Sequence, residues 1–159
     1  MKAIRAASPA DAPSLARLRY EFRAAANPAV EDEAAFVARC TQWMEARLAA
    51  GTSWRCWLVE DSGRITGNLW LQLIEKIPNP AIELEQHAYI TSVYVSPAAR
   101  ASGAGEALLE TALAFCREER VDSVILWPTA RSRALYARHG FAVRDDLMEA
   151  ILDEGRHLP

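Results

Sequence analysis

One stretch of this sequence limits the fold more than any other: Val93-Tyr94-Val95-Ser96-Pro97-Ala98-Ala99-Arg100-Ala101-Ser102-Gly103-Ala104-Gly105-Glu106-Ala107-Leu108-Leu109. The β-branched and aromatic run from Ala88 to Val95 reads as a strand, and Ser96-Pro97 stops it. A loop of small residues then opens a helix whose apolar face is Leu109, Ala112, Leu113 and Cys116. The first turn of such a helix has unsatisfied N–H groups and the positive end of the helix dipole, so it can receive an anion. Gly103 and Gly105 let the backbone approach that anion closely, and Arg100 can add a charge-assisted contact. A pyrophosphate is the natural occupant. A plain strand–turn–helix, in which the two glycines only shape the turn, would use the same residues.

The common nucleotide loops do not fit these residues. A phosphate-binding loop of the Walker type ends in Gly-Lys-Ser/Thr, whereas Gly105 is followed by Glu106. A dinucleotide fingerprint needs a third glycine three residues after Gly105, and Leu108 stands there. The loop also comes late, behind a hairpin rather than opening a βαβ unit. A generic nucleotide domain on the same anion loop is the weaker reading. Charge excludes a further class: with 18 basic and 21 acidic residues the net charge is −3, leaving no basic field for nucleic acid. No run of eighteen apolar residues occurs, so no membrane span is expected, and Met1–Pro9 lacks the apolar stretch of a secretory signal. The three cysteines, Cys40, Cys56 and Cys116, form no CxxC pair and no HExxH is present, so no metal site is expected. They read as small buried hydrophobes in a reducing, cytoplasmic setting.

The chain's 159 residues suit a single domain, 1–159, and the elements follow in a regular order. Lys2–Ala7 is a strand candidate, after which Ser8-Pro9-Ala10-Asp11 supplies capping chemistry for a helix with Leu15, Leu18 and Phe22 at helical spacing. A second helix follows Glu31-Asp32-Glu33, with Phe36, Cys40, Trp43, Met44 and Leu48 as its stripe and Gly51 past its end. Trp54–Glu60, the turn Asp61-Ser62-Gly63 and Ile65–Ile74 read as a hairpin. In its longer strand Leu69, Leu71 and Leu73 share one face; Asn68, Trp70 and Gln72 share the other, as a groove border or a covered sheet face. Beyond the loop, Val121–Trp127 is a strand, Arg131–Arg138 a helix broken by Gly140, and Phe141–Arg144 and Met148–Leu152 two closing strands. Strands alternating with helices imply an α/β fold with a mixed or parallel sheet covered by helices.

Two motifs in this order resemble the GCN5-related N-acetyltransferases. In that family a strand is followed by Arg/Gln-x-x-Gly-x-Gly/Ala, and Arg100-x-x-Gly103-x-Gly105 fits each defined position. A second signature ends a late helix in Leu-Tyr-x-x-x-Gly-Phe, matched by Leu135-Tyr136-Ala137-Arg138-His139-Gly140-Phe141. Thr129 replaces the Asn common at the start of that motif, and Ser132 replaces its Ala. The order of elements over nearly the whole chain is similar too. The resemblance implies a mixed central sheet of about six to seven strands flanked by about four helices.

It further implies acetyl-CoA as co-substrate, with no metal, and transfer of an acetyl group to a primary amine by direct attack in a ternary complex. Backbone N–H groups of Ala101, Ser102, Gly103, Ala104, Gly105 and Glu106 would cradle the pyrophosphate, flanked by Arg100. Near the end of Val93-Tyr94-Val95 the family's strand splays, and its free backbone groups pair with the pantetheine arm. One of them polarises the thioester carbonyl, an oxyanion-hole role. Tyr136 would protonate the leaving thiolate, a credible transfer for a phenol of reference pKa about 10 in a dry site. A phenol packed between helix and sheet is the structural alternative. For the base that deprotonates the amine, the resemblance points to the strand before the loop. Glu83, Glu85, His87 and Tyr89 are the candidates there, Glu85 foremost. His139 reads as a residue of a helix C-terminus.

The acceptor, a small molecule or a protein, would meet the first two helices and the loop Lys76–Gln86. Acidic Glu31, Asp32, Glu33, Glu83 and Glu85 would attract an amine, although a helix start and an exposed loop explain them equally. A homodimer is common in the family. The rival from another class is a non-catalytic acyl-CoA-binding or regulatory module on the same fold, since a fold does not fix a function.

Overall fold

The computed structural model describes residues 2–28, 31–153 and 155. The chain forms two compact units, residues 1–125 and 126–159.

The larger unit opens with β1 (Lys2–Ala6) and a short 3-10 turn, Pro9–Asp11, that leads into α1 (Ala12–Ala26). Asp11 secures this corner. Its carboxylate accepts from the Ser8 backbone N–H at 2.7 Å and from the Arg5 guanidinium at 2.8 and 2.9 Å. α2 (Glu33–Leu48) starts at Asp32, whose side chain accepts the Ala35 N–H at 3.1 Å. Next come β2 (Trp54–Asp61) and β3 (Arg64–Glu75), joined by a turn with Ser62 and Gly63 both at positive φ, the conformation that matches strand twist in a tight hairpin. β4 (Gln86–Val95), α3 (Ala104–Glu118) and β5 (Ser123–Ile125) complete the unit.

The sheet has five strands in the order β1-β2-β3-β4-β5, antiparallel except for the parallel pair β4/β5. It is the expected mixed α/β sheet with four helices among the described residues, but with fewer strands than the six to seven anticipated. Both faces are covered. Cys56, Leu58 and Trp70 form one core with Ala12, Leu15 and Ala16 of α1 and Met44 of α2. On the opposite face Trp57 meets Phe115 of α3 edge-on at 5.2 Å, and Leu69, Leu71, Leu108 and Leu109 are fully buried. Each such leucine contributes roughly 1.5–3 kcal/mol of apolar burial. The amide–indole–amide row is therefore a covered sheet face at Asn68 and Trp70, both 2% exposed.

The smaller unit holds α4 (Arg133–Arg138), shorter than the expected Arg131–Arg138 helix. The expected strands Phe141–Arg144 and Met148–Leu152 do not form: residues 141–152 make no ladder among the described residues, and Val143, Met148 and Leu152 are exposed. Hydrophobic alternation makes a strand only where a neighbour supplies backbone partners, and none among the described residues pairs with this segment. The Val121–Trp127 strand contracts to Ser123–Ile125 for the same reason, because its ladder to β4 ends at Ile125.

Candidate functional site

The last turn of β4 is irregular. Asn68 of β3 pairs with Tyr94, and Trp70, two residues on, pairs with Thr91, three residues back. β4 thus carries one extra residue, a bulge at Ser92, which sits at φ +52. Asn68 holds it, donating its side-chain N–H to the Ser92 carbonyl at 2.7 Å. Helix α1 holds it from the same face of the sheet. The Tyr94 hydroxyl donates to Glu21 at 2.6 Å, Phe22 stacks on the Tyr94 ring at 5.1 Å, and an Arg19 Nη lies 3.5 Å from Ser92 Oγ. Burial, together with the Glu21 carboxylate, pushes the Tyr94 phenol up to about 12.

The backbone past the bulge has one edge open. The Ser96 N–H donates to the Thr66 carbonyl, so Ser96 and, by alternation, Tyr94 direct their backbone groups to β3. Those of Val95, and of Val93 two before it, then point to the other edge. On that edge the ladder to β5 stops at Tyr89, and the Val95 carbonyl accepts from Arg100 Nε at 3.1 Å. Gly67 makes the arrangement possible: a Cβ there would lie 2.9 Å from the Tyr94 carbonyl oxygen.

The loop after β4 is shaped for close backbone approach. Pro97–Ala99 forms a 3-10 turn closed by Ser102 Oγ donating to the Ala99 carbonyl at 2.6 Å. Ala101 stands at φ +60 and Gly103, the N-cap of α3, at φ +75. No side chain caps α3, and its first backbone bond is the Ala107 N–H to the Gly103 carbonyl at 3.0 Å. The amides of Ala104 and Gly105 therefore lead the helix without an intrahelical acceptor. Arg100 lies over the Tyr94 ring at 5.8 Å, and with its bond to the Val95 carbonyl this ties the guanidinium to the end of β4. Extended backbone, an uncapped helix head and a tethered arginine suit a pyrophosphate followed by a thin, amide-bearing arm.

In the smaller unit, Tyr136 is 7% exposed and meets Phe141 edge-on at 5.6 Å. Burial raises its phenol above the ordinary range, with the Ser132 hydroxyl opposing the shift. Gly140 at φ +85 lets the chain turn back, so that the Phe141 N–H reaches the Tyr136 carbonyl at 3.1 Å. Thr129 and Ser132, the two departures from the family motif, bond each other and close the turn before α4. His139 Nδ1 lies 2.9 Å from the Leu135 carbonyl, consistent with a residue closing the helix.

The expected base residues are scattered. Glu85 is exposed in the loop before β4, eight residues ahead of Val93, which is about 25 Å along a strand. Glu83 pairs with Lys76 at 2.9 Å, and His87 Nδ1 lies 2.7 Å from Ser123 Oγ. Of the four, Tyr89 is nearest the bulge along β4. The acidic residues near the helices also have local partners: Glu31 binds Arg39 and Asp32 caps α2. Burial raises all three cysteine thiols, Cys116 to about 11 and Cys56 well beyond its usual range, so none is a ready nucleophile. Sequence reasoning missed Gly67, Arg19 and Glu21, and treated Asn68 only as part of a face. A glycine inside a strand, where another backbone comes close, was the available signal.

This combination of fold and loop is that of an acetyltransferase. The chain belongs to the acetyltransferase (GNAT) family, whose family model matches residues 16–141, a span that crosses both units. Among solved structures it is similar to a GCN5-related N-acetyltransferase from Ralstonia eutropha, with 27% identity, a TM-score of 0.77, and coverage of 95% of this chain and 99% of that one. A predicted acetyltransferase from Clostridium acetobutylicum, solved with acetyl-CoA, shares the fold at a TM-score of 0.77 and 21% identity, covering 99% and 100% of the two chains. A mycothiol acetyltransferase from Beutenbergia cavernae is 34% identical over 106 residues, 61% of this chain and 33% of that protein. The match thus spans about a third of that relative's length. No helix among the described residues is long and apolar enough to cross a membrane.

Proposed function

We propose that this chain, acting as one domain over 1–159, transfers an acetyl group from acetyl-CoA to a primary amine by direct attack in a ternary complex. The observation that carries the reading is the bulged end of β4, with its open backbone edge running into the Arg100–Gly105 loop and the uncapped head of α3. In this scheme the amides of residues 101–106, with Arg100, hold the pyrophosphate. The backbone of Val93 and Val95 pairs with the pantetheine arm and donates to the thioester oxygen as it gains charge. The neutral amine nitrogen attacks the carbonyl carbon, the C–S bond breaks, the sulfur takes a proton from Tyr136, and the nitrogen releases a proton to water, from which the phenol is restored. A raised phenol pKa keeps that proton available at neutral pH. Tyr94 takes part through its backbone, its hydroxyl being engaged by Glu21. Glu85, the sequence-based candidate for the base, stands too far along β4 to touch an amine at the bulge, and no base is assigned. A cytoplasmic location, where acetyl-CoA is at hand and the three cysteines stay free, fits this activity.

The test is thermal unfolding with acetyl-CoA, beside NAD and ATP. Ligand at a hundred times its Kd adds about 2.7 kcal/mol. For a domain of this size that is a rise of roughly 5–11 °C. A rise with acetyl-CoA alone, followed by amine-dependent thiol release, supports the reading. A rise with NAD or ATP instead, or none with acetyl-CoA, overturns it. Binding without turnover of any amine would favour an acyl-CoA-binding module.

A further inference from the structure

α1 carries two arginines one helical turn apart, Arg19 and Arg23, and neither makes an ion pair with a carboxylate among the described residues. Arg19 is half-buried between α1 and the sheet. Its contacts are Ser92 Oγ at 3.5 Å, the outer limit of a hydrogen bond, and the Phe22 ring at 5.8 Å. Arg23 also lies over the Phe22 ring, 6.0 Å from its centre. Tyr89 and Cys40 also lie within electrostatic reach of Arg19, as does Arg23, which repels it. Some arginines elsewhere are ion-paired, Arg5 with Asp11 and Glu60, Arg39 with Glu31 and Arg144 with Asp146, while Arg55 reaches the Thr52 and Trp54 carbonyls instead.

Two like charges at i and i+4 oppose helix formation, and a cation withdrawn from water without a counter-ion is costly. The ring of Phe22, itself half-buried, offsets only part of that cost. The fold nevertheless places the guanidinium of Arg19 beside Ser92, the residue whose left-handed backbone makes the bulge. It therefore lies on the α1 face of β4, next to where the proposed reaction brings amine and thioester together.

We infer that Arg19, assisted by Arg23, receives an anionic group of the acceptor, so that the substrates are amines bearing a carboxylate or phosphate near the reacting nitrogen. This rests on the acetyltransferase reading and narrows it. Arg19 is then a specificity residue: its planar fork can hold two anion oxygens, with Ser92 Oγ as a third donor. The reacting amine is thereby fixed by its far end, leaving the nitrogen free at the bulge. A cationic acceptor contact differs from the acidic rim expected from Glu31, Asp32, Glu33, Glu83 and Glu85, of which Glu31, Asp32 and Glu83 have local partners, while Glu21 of α1 is engaged by the Tyr94 hydroxyl.

The experiment measures thiol release from acetyl-CoA with a panel of amino acids and aminoalkyl phosphates, against the matching amides and amino alcohols. The carboxylate and phosphate arms separate the two anion chemistries. The expected result is a kcat/KM at least tenfold higher for the anionic member of a pair. Arg19→Met should erase that preference, Arg19→Lys should keep part of it, and acetyl-CoA affinity should not change in either variant. Preference for neutral or cationic amines, or a preference that survives Arg19→Met, overturns the inference. So does a loss of acetyl-CoA affinity in Arg19→Met, which would assign the pair to the donor. If acetyl-CoA binds but no amine reacts, the transferase reading fails separately. The pair is then read by calorimetry on the CoA-saturated protein, using N-acetyl amino acids against their amides. Equal binding of acid and amide overturns the inference, and tighter binding of the acid that Arg19→Met abolishes supports it.

Discussion

Asn68 offers the sharpest test of how the bulge in β4 is held. Its side chain is 2% exposed and donates to the Ser92 carbonyl at 2.7 Å, inside a sheet face covered by α1. Asn68→Ala removes the donor and leaves that carbonyl without a partner in a half-buried position. An unsatisfied backbone acceptor costs about 1–3 kcal/mol, so a loss near 2 kcal/mol is expected. At roughly 2–4 °C per kcal/mol for a chain of this size, the midpoint should fall by about 4–8 °C. Urea unfolding should show the same loss with an unchanged slope, since the exposed area is the same. Acetyl-CoA should bind more weakly in proportion to how far the Val93–Val95 edge relaxes. Asn68→Asp adds a pH signature. Ionised, the new side chain faces the Ser92 carbonyl as a second acceptor; protonated, it can donate as the amide does. Its folded pKa is thus raised above the unfolded value, so stability is closest to the parent below about pH 4 and is lost as pH rises through the folded pKa. An Asn68→Ala protein within 0.5 kcal/mol of the parent, with acetyl-CoA affinity intact, would refute the assignment.

Three further outcomes follow from particular contacts. Gly67→Ala places a Cβ 2.9 Å from the Tyr94 carbonyl oxygen, so a loss of about 1–3 kcal/mol and weaker acetyl-CoA binding are expected; an unchanged melting point would show that β3 can shift at no cost. Asp11→Asn should cost on the order of 1 kcal/mol at neutral pH, discounted because Arg5 is 42% exposed, as read by urea titration. Arg5 and the Ser8 bonds hold the Asp11 carboxyl well below the usual carboxylate range, so its contribution is present above about pH 4 and fades as pH falls through the folded value; a gap to parent that persists at strongly acid pH would contradict this. Tyr136→Phe should cut thiol release by roughly a hundredfold or more while leaving acetyl-CoA affinity in place, in line with the general range for acid catalysis. The raised phenol also moves the alkaline limb of the parent's rate profile above the ordinary phenol range, and the variant should lack it.

What was legible in the sequence was whatever depends on local chemistry. The capped helices, the Ser62-Gly63 hairpin and the strand–loop–helix at Val93–Leu109 each follow from residues that are neighbours in the chain, and each stands where expected. The closing strands were misjudged because a strand is a property of a pair: Val143, Met148 and Ile151 have the alternation but no ladder. Asn68 and Gly67 were opaque for a related reason. Their roles depend on a register shift against β4 between Asn68 and Trp70, which nothing within β3 discloses. The site itself was legible as far as its backbone goes, through Gly103 and Gly105, while Arg19 and Glu21 act from a helix more than seventy residues away in sequence.

The distribution of left-handed residues argues that the end of β4 is built for a ligand rather than tolerated as an irregularity. Among the described residues, four besides glycine have positive φ: Ser62, Ser92, Ala101 and Arg120. Two need no special account, since Ser62 lies in a hairpin turn and Arg120 just past α3, where such conformations end elements at little cost. Ser92 and Ala101 are different. One interrupts a strand and the other precedes a helix, and each costs an ordinary side chain about 1–2 kcal/mol. Such conformations persist only where their surroundings fix them. Ser92 is gripped by Asn68 of β3, and Tyr94 beyond it by Glu21 and Phe22 of α1. Val95 in turn receives Arg100 from the loop. If this geometry served packing alone, a regular β4 would pack as well without the strain. What the irregular one adds is an open backbone edge that leads directly to the uncapped amides of α3.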